Sequence, residues 1–375
     1  MKLLQTPARF HPYIGGVENH VFYLSKELVE MGHTVKVICA DEPQSKTGNV
    51  QGIEVERLPY FFKIANTNIC LGLPRAILRS DFDVIHTHMP TPWTCDWSIL
   101  LSRLMGKRSV ITIHNDMDKP GFLSKIITDI YLHTIFLLSL SLADKIIIVN
   151  EEWEKSFSNT SHILKRYKTK ISTSPNGVDS EVFKPLNTAR ERHALLFVSI
   201  LDKHHRFKGL GYLLGAIKLV RQSIPDIKLT IVGEGELKDF YIREADDLNI
   251  GQCVEFVGAK KQEDLVTLYD RASLFVLPST EIEGFGIVLL EAMACKTPVI
   301  ATDTVGVAKD VIQNDCGIVV EPRNSRALAD AITAILGNAK LGREMGENGR
   351  RLVEEHYSWG TIGRKIESIY KRLMI

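Results

Sequence analysis

Residues 272–303 read ASLFVLPSTEIEGFGIVLLEAMACKTPVIATD, and the order of their parts decides the fold. The apolar run LFVL ends at Pro278-Ser279. Two acids, Glu281 and Glu283, and a Gly-Phe-Gly turn follow, then an apolar stretch of helical length and a second short run, PVIA. Short Val/Leu/Ile-rich runs without polar alternation fit parallel strands covered on both faces. A strand, a glycine turn, a helix and another strand make a βαβ unit. This unit carries carboxylates on both sides of its turn, Glu283 and Glu291, in a region expected to be buried.

The same grammar extends along the chain. VENHVFYLSKELVEMG places Val17, Val21, Leu24 and Leu28 on one helical stripe that stops at Gly32, and HTVKVICA follows as a strand. FDVIHTH, KRSVITIHN and ADKIIIVN are further strand-like runs. At 171–185, ISTSPNGVDSEVFKP is dense in Pro, Gly, Asn and Ser and marks a linker. The alternation then restarts with HALLFVSIL, KLTIVGEG, CVEFVGA, ASLFVLPS, TPVIATD and GIVVEP. A chain of 375 residues is too long for one ordinary core. The expected architecture is therefore α/β, with two Rossmann-like doubly wound parallel-sheet domains facing a cleft and the chemistry just after each apolar run.

Composition removes several classes of function. With 45% hydrophobic and 24% charged residues and a net charge of +1, the chain has no electrostatic footprint for nucleic acid. Its six cysteines, Cys39, Cys70, Cys95, Cys253, Cys295 and Cys316, have no CxxC spacing and read as reduced thiols in a cytoplasmic protein. The start MKLLQTPARFHP lacks a long apolar core, so no signal peptide is expected. The greasiest window, 126–143, is interrupted by Asp129 and His133 and is expected to be a buried helix rather than a membrane span.

Five places after strand-like runs carry candidate chemistry. Gly15-Gly16 precede a helix and allow backbone amides to approach an anion, or serve simply as a turn. His86, His88 and His114 stand at strand ends, suited to hydrogen bonding a polar ligand or to a structural role; no nearby acid has metal-motif spacing, so a metal is not expected. Lys203, Arg206 and Lys208 form a cationic cluster suited to a leaving phosphate, or a solvated basic loop. Val232-Gly233-Glu234-Gly235-Glu236 lacks the third glycine of the dinucleotide fingerprint, which disfavours NAD. Gly284 and Gly286 permit close backbone approach at a helix start, while Glu291 needs a strong hydrogen-bond donor that ribose hydroxyls would supply.

Together these residues resemble the family 4 glycosyltransferases, the retaining group with the two-domain GT-B architecture. The resemblance is carried by PYIGGVE, DVIHTH, VITIH, SPNGVDSEVFKP, the LDxxxxFKG loop, LTIVGEGE, the Glu-x7-Glu stretch EGFGIVLLE, AMACKTPVIA and CGIVVEP. It implies an acceptor-binding domain at 1–172, completed by a returning C-terminal helix at 357–375, and a nucleotide-sugar-binding domain at 173–356. By the same resemblance Gly15 and Gly16 face the donor diphosphate, His114 contacts the transferred sugar, and Glu283 takes the sugar hydroxyls. The amides of Gly284, Phe285, Gly286 and Ile287 lie beside sugar and phosphates, Glu291 holds the ribose, and Lys208 neutralises the leaving diphosphate.

Two departures stand out. Ser199-Ile200-Leu201 replaces the family's Gly-Arg-Leu, so the usual arginine is missing, with Lys203 or Arg206 as its replacement. The loop after PVIATD carries Val305-Gly306 and Asp310 where Gly-Gly and Glu are familiar. The implied activity is retaining transfer of a hexose from a nucleotide-diphosphate sugar, UDP-sugar foremost, to a glycan, lipid or lipid-linked acceptor in cell-surface glycan biosynthesis. No cofactor or metal is expected, since the nucleotide sugar is itself a substrate. A sugar-nucleotide epimerase or hydrolase of the same fold, or a non-catalytic nucleotide-sugar-binding protein, are the alternatives. The segment 56–80 interleaves Arg57, Lys63, Arg75 and Arg79 with aromatic and aliphatic residues, compatible with peripheral contact at the inner face of a membrane or with a core helix plus an acceptor loop.

Overall fold

The structure, a computed structural model, describes the chain except residues 14, 65–66, 118–121, 151–152 and 187 and the side chains of 122–123 and 155–156. It divides into two compact units, Met1–Asn176 with Trp359–Ile375, and Gly177–Ser358.

The second unit is built on six parallel strands. Along the sheet they run Val254–Gly258, Lys228–Val232, Ala194–Val198, Leu274–Leu277, Val299–Thr302 and Gly317–Val320. Leu274 to Leu277 and Val299 to Ala301 are fully buried, which is why their sequence shows no alternation. Helices on both faces give two apolar clusters, one around Tyr269, Phe275 and Leu289, the other around Leu213, Ile217 and Ile332. The first strand in chain order, Ala194–Val198, lies beside the fourth, Leu274–Leu277. This is the switch point of a doubly wound sheet, where a crevice opens at the carboxyl ends of the strands.

The first unit follows the same rule. Its eight-stranded sheet runs Ile171–Thr173, Lys145–Ile148, Arg108–Ile113, Val84–Met89, Lys2–Thr6, Thr34–Ala40, Ile53–Leu58 and Gly48–Val50. All neighbours are parallel except the Gly48–Val50 edge. Lys2–Thr6 and Val84–Met89 meet at its switch point. The helix Gly16–Glu30 buries Val21, Leu24 and Leu28, and the chain's last helix, Trp359–Leu373, buries Ile362, Ile366 and Tyr370 in the same cluster. All six cysteines are free thiols; Cys253 is half-buried and the other five are buried.

One expectation fails here. The apolar window at 126–143 is not a buried helix: Phe122–Tyr131, a π-helical stretch Leu132–Phe136 and Leu137–Leu142 run on, with only 22% of the apolar window buried. Leu132, Phe136 and Leu140 pack into the core, whereas Ile126, Ile127, Ile130, Ile135 and Leu138 are exposed. Its residues Ser124–Leu142 are long and apolar enough to cross a membrane by length and composition. Apolar residues surround this helix on nearly every side, so the core uses one edge of it and leaves the rest uncovered. The segment 56–80 does contribute a short helix to the core, which buries Leu73, Ala76 and Ile77. It holds the end of a strand, the antiparallel pair Phe62–Ile64 and Thr67–Ile69, and the short helix Leu73–Arg79.

The closing helix carries a testable load. Ile366 is fully buried, so Ile366→Ala should cost roughly 2–5 kcal/mol. Hydrogen exchange should then show lost protection in Gly16–Glu30 and in the strands beneath it, with the second unit unchanged.

Candidate active site

In the second unit the chemistry gathers where the two switch-point strands end. After Ala194–Val198 the chain reaches a short 3-10 turn, Arg206–Lys208, ended by Gly209 with φ +77°. A Cβ on Gly209 would lie 2.0 Å from the carbonyl oxygen of Pro278, so only glycine allows this approach. The amide of Thr280 donates to the carbonyl of Phe207 at 2.6 Å, joining the loops a second time. Lys208 Nζ then donates to Glu283 Oε1, and Ser279 Oγ donates to Glu283 Oε2. Both carboxylate oxygens of Glu283 are therefore held before any ligand arrives.

Gly286, with φ +86°, turns the chain into the helix Ile287–Ala294. A Cβ there would meet Val305 Cγ1 at 2.6 Å, and one on Gly306 would lie 2.5 Å from the carbonyl oxygen of Gly284. Val305-Gly306 thus serves as a packing surface for the Glu283–Gly286 turn, tied by Glu283 N to Thr304 O and Gly306 N to Glu283 O. Asp310 accepts from Tyr357 Oη at 2.8 Å. The Phe285 ring is buried against Tyr357, so at this position only the backbone is free to meet a ligand. The helix start leaves the first amides, from Ile287 onward, with their dipole toward the turn.

One turn further on, Glu291 accepts from Tyr269 Oη at 2.8 Å. Part of Glu291 reaches solvent, yet desolvation pushes its carboxyl up to about 7, against the lowering effect of that hydrogen bond. The sequence suggests no structural partner for Glu291; Tyr269 is one, and nothing in its surroundings, TLYDRA, signals it. Lys203 does not join this group. Its exposed ammonium lies 3.6 Å from Glu236, and with Arg206 it lines a separate hollow that also includes Phe240 and Arg323. Where the family arginine would stand, Ser199–Leu201 is packed under the GEG turn: a Cβ on Gly233 would strike the Ser199 carbonyl, and one on Gly235 that of Leu201.

In the first unit the histidines form an ordered chain. Gln5 Nε2 donates to Tyr370 Oη at 3.5 Å, which leaves Gln5 Oε1 to accept from His88 Nε2 at 2.9 Å. His88 Nδ1 lies 3.1 Å from His114 Nε2. A neutral His88 that donates from Nε2 must accept at Nδ1, so His114 carries its proton on Nε2 and presents Nδ1 as an acceptor. His114 Nδ1 has no partner among the described residues. A sugar hydroxyl suits that lone pair. His86 is spent on Tyr370 Oη and Thr112 Oγ1, both at 2.6 Å, and is structural.

His20, which no pattern in the sequence singles out, completes the group. Its Nδ1 pairs with Asn176 Oδ1 at 2.9 Å in the linker, its Nε2 is buried without a partner, and its ring stands 4.6 Å from that of His114. Ring nitrogens of His20, His88 and His114 lie within 4.8 Å of one another, the one such group among the described residues able to hold a metal ion. The hydrogen bond between His88 and His114 already uses one ring nitrogen of each. Gly15 caps the helix Gly16–Glu30, but Glu18 folds back over it: a Cβ on Gly15 would lie 2.2 Å from Glu18 Oε2. Arg9 Nε donates to that carboxylate at 3.2 Å. This helix start therefore already has a protein anion beside it, which an incoming phosphate has to displace.

Residues 14–182 match the model for glycosyltransferase family 4, and residues 178–352 that for glycosyl transferases group 1. The O-antigen chain mannosyltransferase C of Escherichia coli is 29% identical over 387 residues, spanning 100% of this chain and 99% of that protein. A component of the phosphatidylinositol N-acetylglucosaminyltransferase of Arabidopsis thaliana is 27% identical over 385 residues, 100% of this chain and 82% of that protein. Among solved structures, sucrose-phosphate synthase from Thermosynechococcus elongatus has a TM-score of 0.75 at 24% identity, covering 100% and 99% of the two chains. Anabaena HepE in complex with UDP has a TM-score of 0.77 at 17% identity, covering 99% and 100%. These likenesses establish the GT-B fold.

Burial depresses all four imidazoles from their ordinary 6.5: His20 to about 4, His86 to about 3, and His88 and His114 well below. Nitrogen-15 NMR should find His114 neutral with its proton on Nε2 from about pH 8 to about pH 5. The unfolded chain takes up these protons first, so the first unit should lose stability progressively as pH falls below about 6.5. Denaturation midpoints between about pH 7 and 4.5 measure it.

Proposed function

We propose, for a chain that belongs to the family 4, group 1 glycosyltransferases, that it moves a hexose from a UDP-sugar to a hydroxyl of a lipid-linked acceptor with retained anomeric configuration. The observation that carries the reading is the Lys208–Glu283 pair set at the carboxyl ends of the switch-point strands, with Glu291 one turn into the helix Ile287–Ala294 that follows. Glu291 takes the ribose hydroxyls, Glu283 the sugar hydroxyls, and His114 accepts from a further sugar hydroxyl. Lys208 and the backbone amides from Gly284 to Ile287, at the start of the helix Ile287–Ala294, stabilise charge on the departing diphosphate, by electrostatic preorganisation. The bond from the sugar's anomeric carbon to the diphosphate oxygen breaks, and the bond to the acceptor oxygen forms on the same face. The acceptor's proton passes to the leaving diphosphate. In this reading the chain's own cation handles the leaving charge, without a resident metal or cofactor.

Support for the donor comes from HepE, a protein of this fold whose structures hold UDP and UDP-glucose. Support for the acceptor class comes from the relative named for phosphatidylinositol. The six free thiols are in keeping with work on the cytoplasmic side of a membrane, in the assembly of cell-surface glycans.

Glu291 supplies the decisive measurement. Ribose hydroxyls donate to the ionised carboxylate, so binding favours the form that loses the proton held near pH 7. UDP-glucose affinity measured by calorimetry should therefore rise from about pH 6 to about pH 8, with proton release seen as a dependence on buffer ionisation enthalpy. In Glu291→Gln the pH dependence should vanish and affinity should fall about tenfold or more. A wild-type affinity flat in pH, or an unchanged Gln variant, removes Glu291 from the donor site.

Lys208→Met should lower kcat by roughly 10²–10³, as the loss of one group aimed at developing charge does. Transfer to an undecaprenyl-diphosphate-linked sugar and to free oligosaccharides, followed by product stereochemistry, checks the acceptor and the retained configuration.

A further inference from the structure

The first unit carries an apolar groove that the donor chemistry does not use. Its volume is about 600 Å³, within the roughly 300–1,000 Å³ of small-molecule sites. Ile64 and Ile69 of the antiparallel pair, Trp93 of the helix Pro92–Leu104, and Ile127, Tyr131 and Ile135 of the long apolar helix form its walls. Three of these stand at an open mouth, with Ile64 60%, Ile127 58% and Ile135 49% exposed. Groove and mouth are apolar alike, which suits a hydrocarbon chain and not a glycan.

Charge decides how such a chain lies. Asp96 is the one charged group among the described lining residues, and Tyr131 Oη at 3.1 Å and Ser139 Oγ at 2.7 Å donate to its Oδ1. That carboxylate repels an anionic head from this part of the groove wall. A second hollow shares Met117 and Thr128 with the groove and offers Lys125, His162, Ser158 and Asn159 instead. It also contains Asp129, whose carboxylate is 3.2 Å from His133 Nδ1. An apolar trough with a carboxylate in its wall and Lys125 and His162 in the adjoining hollow matches one amphiphile, a long alkyl chain that ends in a phosphate.

We propose that this groove holds the hydrocarbon chain of the lipid-linked acceptor, with the lipid's phosphate at Lys125. The proposal rests on the acceptor reading above and deepens it. It explains why the helix Phe122–Leu142 leaves Ile127 and Ile135 uncovered, since their partner is the substrate.

The test is calorimetry with monomeric dodecyl phosphate on the intact protein, with inorganic phosphate and a dodecyl glycoside as controls. Dodecyl phosphate should bind, inorganic phosphate should bind at least about tenfold more weakly, and the uncharged glycoside should fall between them. Ile127→Asp and Ile135→Asp, at exposed positions that the fold tolerates, should each weaken binding about tenfold or more with unchanged thermal midpoints. Lys125→Glu should weaken dodecyl phosphate and spare the glycoside. Leu138→Asp, on the same helix and 53% exposed but outside both hollows, should stay within about twofold.

Equal loss in Leu138→Asp and Ile127→Asp would mean adsorption to the helix surface, and would overturn the proposal. So would inorganic phosphate binding as tightly as dodecyl phosphate, no binding at all, or concentration-dependent dimerisation that blocks the probe. Transfer assays separate the two readings. Lipid-linked acceptors glycosylated equally by wild type and Ile127→Asp would sink the groove alone. A groove that binds the probe in an enzyme that glycosylates only free oligosaccharides would sink the acceptor reading alone.

Discussion

The approach of Gly209 to the carbonyl of Pro278 is the contact on which the second unit's chemistry depends. Two loops from neighbouring strands come together there with no side chain between them, and the left-handed backbone of Gly209 makes that distance attainable. The consequence is electrostatic. Lys208 and Glu283 are brought into contact although they lie 75 residues apart, with both side chains largely shielded from water. Removing either partner strands a shielded charge, which typically costs about 3–5 kcal/mol, so neither can drift without the other. A substitution at Gly209 would therefore disturb this pair without touching any charged group.

The two units solve different electrostatic problems. The first presents neutral imidazoles, kept neutral by burial and oriented by an amide and a tyrosine hydroxyl. Neutral acceptors can read hydroxyl positions without competing for phosphate. The second concentrates a cation, helix amides and two carboxylates, one of which is half-protonated near neutral pH. The hollow lined by Lys203 and Arg206 adjoins the same loops through Phe207, Gly209 and Thr280 but includes neither Lys208 nor Glu283, so the cationic stretch of the sequence is split between two places.

Much of this is legible in the sequence alone. Short uninterrupted Val/Ile/Leu runs bounded by turn residues fit buried parallel strands, and their spacing leaves room for helices, so the doubly wound architecture follows. Glu283, Glu291 and Lys208 are readable because charge beside glycine in an apolar setting demands a partner. The partners are not readable. Tyr269 reaches Glu291, Asn176 reaches His20 and Gln5 reaches His88 from elsewhere in the chain, and each is an ordinary residue in an ordinary run. The exposed helix at 122–142 misleads for a physical reason. Hydropathy reports what a side chain prefers and not which neighbour supplies it, so a face awaiting an outside partner looks the same as one in the core.

The second unit is an uninterrupted stretch of chain, Gly177–Ser358, whereas the first is assembled from two pieces. The ends of that stretch meet: Val178 pairs with Ser358 in a parallel bridge, and its amide donates to the carbonyl of Tyr357 at 2.8 Å. In engineering terms it is a cassette with both cut points side by side. Replacement by the equivalent segment of a relative would require only two junctions a few ångströms apart, so the whole unit is open to recombination as a single block.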